Sequence, residues 1–359
     1  MNVEIDGTNV SLELLNAQKY RNMEVIPVKI NSSSNNDYLT LKRGISAGFV
    51  EITECEVSTV GTVLARNNAN IPLVLIDGDE IVGAKQNRIM NRSLIIPPKT
   101  TLRVSVSCTE QGRWHYGRSR RNHYGRDEYL NRVNFSNSSE DNFEELREFE
   151  NNQPDNHFES SDFAADFSTR LAKSNDLFEE KNCQSTVWNS ISNLEDRTSF
   201  RSRTSALHDN FENHRSRHNE YLKNFKLEFG QCGAIFIING EIKGLELFHN
   251  PSIYQEYHEK IFRSYIMEAI TKNYSSYCSD ISFYEIEAFL REISYSRFRN
   301  SKDEGIGRHM NFANRYGTGS VLMDGRNLVH LNYFNTSNPK VNRRRSRRYG
   351  SFSDFVDNF

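Results

Sequence analysis

The sequence predicts an α+β protein whose antiparallel core is a β-sandwich or barrel-like sheet built from hairpins, with helices packed on one side. Three observations support this prediction. Short runs of Val, Ile and Leu are separated by turn residues between Met23 and Cys108, as in β-rich domains. Three segments read as β-hairpins. Helical periodicity is concentrated in the second half of the chain.

The three hairpin segments are LVLIDGDEIVGA, AIFIINGEIKGLEL and SVLMDGRNLVHL. Each combines an apolar strand, an Asp-Gly or Asn-Gly turn and a second apolar strand, and these dipeptides supply the positive φ angles of type I′ turns. One interpretation is a core sheet made from three similar units. The alternative is that hairpins simply resemble each other.

Changes in composition divide the chain into an N-terminal segment with a first strand, a central domain and a tail. The predicted parts are 1–40, a domain over 41–335 and a disordered Arg-rich tail over 336–359. The domain subdivides into β-rich 41–116, a mobile polar insertion 117–157, helical 158–228 and α/β 229–335. The insertion has too few large aliphatic residues to offset its ordering entropy.

Helix signals are strongest near the end of the domain. Ser282 followed by Glu285 predicts a capping box, and Asn250 or Ser252 can cap the preceding helix. Three weaker candidates are 162–180, 186–194 and 200–227. The last of these carries His208, His214 and His218, the last two at i, i+4 spacing, but it lacks the Glu-X-X-His context of a metal site. We therefore expect a solvated helix face there and identify no metal site.

Composition excludes several classes of protein. The 359 residues are 36% hydrophobic and 26% charged, and 45 basic and 47 acidic side chains give a net charge of −2. That balance argues against a surface that coats nucleic acid, although the Arg-rich tail can contact nucleic acid or another anionic partner. No apolar run approaches the roughly 18 residues of a membrane helix. The start lacks a secretory signal, and the five cysteines are scattered, so we expect a reduced, cytoplasmic protein.

Two polar clusters follow apolar strands and are the first candidates for a binding site. Lys85, Gln86, Asn87 and Arg88 come directly after the first hairpin segment, where cations can hold an anion and amides can read a base edge. The alternative is a solvated loop. The second cluster combines Cys108, Glu110, Arg113 and Trp114, and Trp114 can stack on a base. A nucleophilic Cys108 would need a depressed pKa, and a buried inert thiol is the more common outcome.

Three further residues, Glu80, Glu246 and His330, are candidates because of their charge or their position. Glu80 and Glu110 form the best pair of carboxylates, and a shared pocket would allow one to act as acid and the other as base. Glu246 and His330 lie inside apolar strands, where an ionisable group either faces solvent or lines a site. The GxGxxG, Walker, HExxH and Gly-X-Ser-X-Gly motifs are absent.

In this order, the clusters resemble the family associated with ADP-ribosylglycohydrolases and rhodanese-phosphatase-superfamily proteins. The matching segments lie between about Leu41 and Phe334, and GAKQNRIMN together with VSCTEQGRW is the specific part. Residues on the family motif are Glu80, Lys85, Gln86, Asn87, Arg88, Cys108, Glu110, Gly112, Arg113, Trp114, Gln184, Trp188, Glu246 and His330. The segment from about residue 118 to residue 157 is longer than in the family, and the Arg-rich tail is extra.

The resemblance implies a nucleotide-like small-molecule ligand from the metabolism of ADP-ribose or NAD. Catalytic roles then fall to Glu80, Glu110 and His330, for acid/base hydrolysis or transfer at a ribose or glycosidic bond. Ligand-binding roles fall to Lys85, Gln86, Asn87, Arg88, Arg113, Trp114, Gln184, Trp188 and Glu246. The alternatives are a nucleotide-binding or sensing module without chemistry, and a structural protein in which the clusters only form internal salt bridges. The sequence identifies neither a cofactor nor an oligomeric state.

Overall fold

A computed structural model describes residues 1–31, 37–55, 61–112, 156–272, 281–301 and 305–336. Most of the predicted insertion, all but the first residue of the predicted tail, and Arg113 and Trp114 lie outside these ranges. The division into domains stays a prediction.

Strands and helices alternate in blocks along the described chain. The strands are β1 Asn2–Ile5, β2 Thr8–Leu14, β3 Gln18–Tyr20, β4 Met23–Ile30, β5 Leu39–Thr40, β6 Val50–Glu54, β7 Thr62–Asn67, β8 Leu73–Leu75, β9 Asp79–Gly83, β10 Arg88–Met90, β11 Leu94–Ile96, β12 Thr100–Cys108, β13 Phe158–Ala164, β14 Gly233–Ile238, β15 Glu241–Phe248, β16 Arg297–Asn300, β17 Arg308–Ala313, β18 Gly317–Asp324 and β19 Asn327–Asn335. The helices are α1 Leu41–Ser46, α2 Phe167–Phe178, α3 Gln184–Thr198, α4 Leu207–Asn213, α5 Arg215–Leu222, α6 Pro251–Thr271 and α7 Phe283–Ser294.

The described strands form three sheets, nearly all of whose pairs are antiparallel. The largest sheet has the order β1-β2-β4-β14-β15-β19-β18-β17-β16, and β3 also pairs with β4. The second has the order β13-β9-β10-β12-β7-β6, and the third has the order β11-β8-β5. The β5–β8 pair is parallel. The predicted fold class is confirmed: the structure is α+β, with curled antiparallel sheets forming half-barrels and with packed helices.

Successive side chains of β14 point to opposite faces of the large sheet, and each face packs against its own hydrophobic cluster. Phe236 and its neighbours on one face pack against α6, and the Phe236 ring stacks on Tyr265 with centroids 3.9 Å apart. Ile235 and Ile237 point to the other face, where they join residues of α7 such as Phe289. A strand with both faces buried lacks a polar side, which is why β14 reads as a continuous apolar run.

The three hairpin segments have different fates. The β14–β15 hairpin is confirmed, and its turn has positive φ at both Asn239 and Gly240. The β18–β19 hairpin also forms, with Gly325 at positive φ at the start of its two-residue loop. The first hairpin prediction is wrong because β8 pairs with β11 and β5, whereas β9 pairs with β10 and β13. A core of three similar hairpin units is therefore not what the chain forms.

The turn at Asp77 and Gly78 explains this difference. The amide of Asp79 donates to the carbonyl of Ile76 over 3.1 Å, and of the two central residues only Gly78 has positive φ. Such a turn directs the chain into another sheet, since a tight hairpin favours two positive φ angles. A Cβ at position 78 would lie 2.8 Å from Nε of Arg170, so a larger residue would collide with this buried side chain.

Most helix predictions hold, with corrections at their boundaries. The capping box of Ser282 and Glu285 is confirmed, as is the Asn250 cap. The candidate 162–180 is part strand: β13 extends to Ala164, and α2 starts after its cap Asp166. The candidate 200–227 contains two short helices, α4 and α5, that meet at His214.

The predicted solvated face of the 200–227 segment is also wrong. His218 is fully buried and His214 is nearly so, because the helix packs against α6 and against Phe211. Charged neighbours in the sequence concealed this burial. Tertiary packing decided which side of the short helix meets water.

Candidate functional site

Five ionisable side chains, two from α2 and three from strands or loops beside it, meet in the interior, and we name them the buried cluster. They are Asp77, Arg170, Lys173, Glu246 and His330. Two of the predicted site residues, Glu246 on β15 and His330 on β19, are fully buried here. The cluster therefore joins the large sheet, α2 and the segment that follows β8.

Glu246 is the acceptor at one end of the buried cluster. Arg170 donates to its two oxygens over 2.6 and 3.2 Å, and the Tyr265 hydroxyl donates over 3.3 Å. Nε2 of His330 lies 3.3 Å from the same carboxylate. Burial raises the pKa of Tyr265 well above its usual value, and the charge of Glu246 adds to this effect, so the phenol stays protonated and acts as a donor.

Asp77 is the acceptor at the other end of the buried cluster. Lys173 bonds to its carboxylate, and Asn332 donates to it over 2.9 Å. Burial opposes ionisation of Asp77, but the charges of Lys173 and Arg170 outweigh burial and lower the pKa of this carboxyl. The hydroxyl of Ser93 lies 2.8 Å from Nδ1 of His330 and accepts from the amide of Asp77, which connects the two ends.

A second group of ionisable side chains lies where β9 meets α4, and we name it the His208 cluster. It consists of Glu80, His208, Glu212 and Arg215. Nδ1 of His208 is 2.9 Å from the buried carboxylate of Glu80, and Nε2 is 3.5 Å from Glu212. The side chains become more exposed outward, from 1% at Glu80 to 14% at His208 and 40% at Arg215. Unlike the buried cluster, this one reaches solvent.

His208 is an imidazolium at neutral pH. Burial would lower its pKa, but the charge of Glu80 and the hydrogen bond to Glu212 raise it to about 10. The Ser161 hydroxyl lies 3.4 Å from Nδ1 of this ring. A protonated imidazole cannot accept a proton from serine, so this contact is not the nucleophile–base pair of a serine hydrolase.

The predicted carboxylates Glu80 and Glu110 lie on neighbouring segments. The Thr109 hydroxyl donates to Glu80 over 3.5 Å. Glu110 follows Thr109 in the segment directly after β12, which ends at Cys108. The carboxylate of Glu110 accepts from the Thr204 hydroxyl over 3.0 Å and from the amide of Asn87 over 3.4 Å. Glu80 therefore faces an imidazolium, and Glu110 accepts from a hydroxyl and from a backbone amide.

The loop between β9 and β10 is tied to the end of β12. The side-chain amide of Gln86 donates to the backbone carbonyl of Glu110 over 2.8 Å, and the carboxamide oxygen of Asn87 accepts from the amide of Gly83. The side chains of Gln86 and Asn87 are buried, and that of the preceding Lys85 is half-buried. The ligand-binding roles of these three residues stay predictions.

Arg88 and Cys108 form a buried contact that also includes Glu54. Arg88 donates to Glu54 over 3.0 and 3.2 Å and to the sulfur of Cys108 over 2.7 Å. Burial raises the pKa of Cys108 to about 11 despite the nearby guanidinium, so the thiol stays protonated. Gln184 contacts the amide and carbonyl of Cys108 over 2.8 and 3.0 Å. A phosphate-binding role for Arg88 would require it to leave Glu54.

Trp188 is half-buried on α3, and its indole N–H is enclosed without an acceptor in the described part of the chain. Its predicted role, and those of Arg113 and Trp114 outside the described ranges, stay predictions. Sequence reasoning missed Glu54, Asp77, Arg170, Lys173, Glu212 and Arg215, and it assigned His208 to a solvated helix face. The only available signal was the spacing of Arg170 and Lys173, which puts two cations on one face of a weakly amphipathic helix.

The described residues contain no group of three or more His, Cys, Asp or Glu side chains that could hold a metal ion. Within the same ranges, every helix is too short or too polar to cross a membrane. A family model described as "ARG and Rhodanese-Phosphatase-superfamily-associated Protein domain" matches residues 11–334. No curated protein and no solved structure matches the chain.

Proposed function

Since the chain belongs to the ARG and rhodanese-phosphatase-superfamily-associated family, we propose that it binds a nucleotide-related ligand at the His208 cluster. The ligand class is a phosphate-bearing compound such as ADP-ribose or an NAD-derived nucleotide. The family name supports this class, and the protonated state of His208 supports recognition of an anion. We further propose that the protein works in the cytoplasm, which its four described cysteines, all buried thiols outside disulfide bonds, support.

One observation carries this proposal. A charged imidazolium that reaches solvent lies directly against Glu80, one of two neighbouring carboxylates that fall on the family motif. Cationic groups at a partly desolvated edge bind phosphate oxygens more strongly than cations in open water do. The buried cluster contains similar groups, but its exposed fractions are 5% or less, so a ligand cannot reach it without a rearrangement.

Acid/base chemistry at a ribose or glycosidic bond is the second part of the proposal. The positions of Glu80 and Glu110 on neighbouring segments favour it, because Thr109, which precedes Glu110, donates to the Glu80 carboxylate. Cleavage of a glycosidic bond needs one carboxyl group as acid and another as base or nucleophile. Glu80 and Glu110 would take these roles.

Calorimetric titration with ADP-ribose and NAD, combined with product analysis, tests both parts. We expect binding by the unmodified protein and loss of binding in His208→Ala. Glu220→Gln is the matched control, because Glu220 is an exposed glutamate that pairs with Arg21, away from the cluster. Absence of binding by the unmodified protein would overturn the proposal and favour a purely structural role.

The chemical part has its own test. If the protein releases product, Glu80→Gln and Glu110→Gln should each lower the turnover by about 100-fold or more, as for loss of a general acid or base. Unchanged turnover in both variants would show that these carboxylates do no chemistry. Binding without any product would leave a sensing module.

A further inference from the structure

Glu212 occupies a position with the geometry of a bound anion. Its two carboxylate oxygens accept from Nε and Nη2 of Arg215 over 2.8 and 2.6 Å. The oxygen that faces Nη2 also lies 3.5 Å from Nε2 of His208. A guanidinium fork and an imidazolium that converge on one oxyanion form an arrangement that also fits a phosphate group.

The two cations are held by contacts that do not involve Glu212. The buried ring of Phe163 lies 5.1 Å from the ring of His208 and 5.1 Å from the guanidinium carbon of Arg215. Nδ1 of His208 is fixed by Glu80. The cations should therefore keep their positions when Glu212 leaves, and preorganisation of this kind favours ligand binding.

A third cation lies against the same ring. The guanidinium of Arg263 is 5.7 Å from the centroid of Phe163, and its Nη2 donates to Asn219 over 3.0 Å and lies 3.6 Å from the exposed carboxylate of Glu259. Nε and Nη1 of Arg263 are enclosed and have no acceptor in the described part of the chain. Three cationic side chains, His208, Arg215 and Arg263, therefore lie around one ring, and such an arrangement suits two linked phosphates better than one.

Glu212 itself is able to move. Its side chain is 38% exposed, and it lies near the end of the short helix α4. An exposed pair three residues apart on helical segments stabilises the folded state only slightly, so water or a ligand can replace it at small cost. The contact of Glu212 with His208, at 3.5 Å, is also longer than the 2.9 Å contact of Glu80 with the same ring.

We propose that His208 and Arg215 form a phosphate-binding site, that Glu212 fills this site in the ligand-free protein, and that a diphosphate group displaces Glu212. The inference rests on the proposed function for the source of the ligand, and it assigns the diphosphate part of that ligand to this site. Glu212 then acts as an internal competitor. It protects the two cations in the absence of ligand and reduces the affinity for a single phosphate.

Inorganic pyrophosphate is the probe, because it tests the site without a nucleoside. In calorimetric titrations we expect Glu212→Gln to bind pyrophosphate about five-fold more tightly than the unmodified protein, because a competing charge of modest strength is removed. Arg215→Ala should lose this binding. Glu220→Gln and Arg217→Ala are the matched controls and should bind as the unmodified protein does.

Nuclear magnetic resonance titration of the His208 ring supplies a second readout. The pKa of His208 should fall in Glu212→Gln and return towards that of the unmodified protein when pyrophosphate is added. Equal or weaker pyrophosphate binding by Glu212→Gln, or an unchanged His208 pKa, would overturn the inference.

The two proposals fail in different ways. If Glu212→Gln binds pyrophosphate more tightly but no variant binds ADP-ribose or NAD, the anion site stands and the nucleotide function falls. If nucleotides bind the unmodified protein and Glu212→Gln with equal affinity, the function stands and the competitor role of Glu212 falls.

Discussion

The buried cluster and the His208 cluster combine the same kinds of side chain in opposite settings. Each places a carboxylate against an imidazole, with a guanidinium nearby. Glu246 and His330 have no exposed surface, whereas exposure in the second cluster reaches 40% at Arg215. Residue types alone therefore do not distinguish a buried network of ion pairs from a binding site. The exposure of the side chains to water distinguishes the two.

The segment Asp77 to Glu80 shows how this separation arises. Asp77 pairs with Lys173, the carboxylate of Asp79 accepts from Lys260 over 2.5 Å, and Glu80 pairs with His208. Three carboxylates within four residues thus serve three different partners, since the turn and the strand aim successive side chains in different directions. Only the last of the three leads towards the surface.

The largest expected effect comes from breaking the buried cluster. Arg170→Met should lower the free energy of unfolding by about 3–5 kcal/mol, because it leaves Glu246 buried without its guanidinium partner. Urea denaturation measures this loss. The double variant Arg170→Met, Glu246→Leu should be less destabilised than the single variant, since it removes both charges. A loss below about 1 kcal/mol in Arg170→Met would show that the pair contributes little.

The His208 cluster should make stability depend on alkaline pH. The folded-state pKa of His208, about 10, lies above its unfolded value of 6.5, so the stabilisation is complete below pH 6.5 and is lost as pH rises through 10. We expect a loss of a few kcal/mol over this window, since each unit of pKa shift corresponds to about 1.4 kcal/mol. Denaturation curves at several pH values measure it. His208→Gln should abolish this slope, and an unchanged slope would contradict the assigned protonation state.

His218 offers the opposite case, an imidazole buried without hydrogen-bond partners in the described residues. Burial lowers its pKa to about 3, and the charge of Arg263 adds to this effect. Stability should therefore be lost as pH falls from 6.5 towards 3, because the unfolded chain gains the proton first. His218→Phe should raise stability at pH 5 relative to pH 7 by about 2 kcal/mol compared with the unmodified protein, because pH 5 lies about 1.5 units below the unfolded pKa. Thermal unfolding at the two pH values is the measurement, and an equal change in both proteins would refute it.

The smallest expected effect on the free energy of unfolding comes from a change in the exposed part of the His208 cluster. Glu212→Gln should change the free energy of unfolding by only a few tenths of a kcal/mol, since half-exposed ion pairs contribute little to stability. Urea denaturation of this variant and of Arg170→Met, under the same conditions, compares the contributions of the two clusters to the free energy of unfolding. A loss as large as that of Arg170→Met would mean that Glu212 is part of the architecture.

Several features of the site were predictable from sequence, and their reasons are local. The Asn239-Gly240 turn and the Ser282 capping box depend on a few adjacent residues, and both form as predicted. The sequence predicted that Glu80 and Glu110 could share a pocket if the hairpins were neighbours, and the shared pocket stays a prediction. The segments that carry them are connected through β10, which lies between β9 and β12, and not through the predicted first hairpin.

The partners of these residues were beyond sequence reasoning. Arg170 and His208 reach their carboxylates across 76 and 128 residues of chain. No local pattern encodes a contact of that separation, because it depends on how sheets and helices pack. The same is true of the burial of His218, which lies among charged residues in the sequence but against α6 and Phe211 in the fold.

The amino-acid sequence by itself determined the fold class, the strong turns and caps, the family and the set of polar residues from which a site can be built. Those features follow from backbone preferences and from short-range hydrophobic patterns. Only the tertiary structure decided which of the polar residues are enclosed and which reach water. The physical reason is that desolvation depends on everything packed around a charge, and most of that material comes from distant parts of the chain.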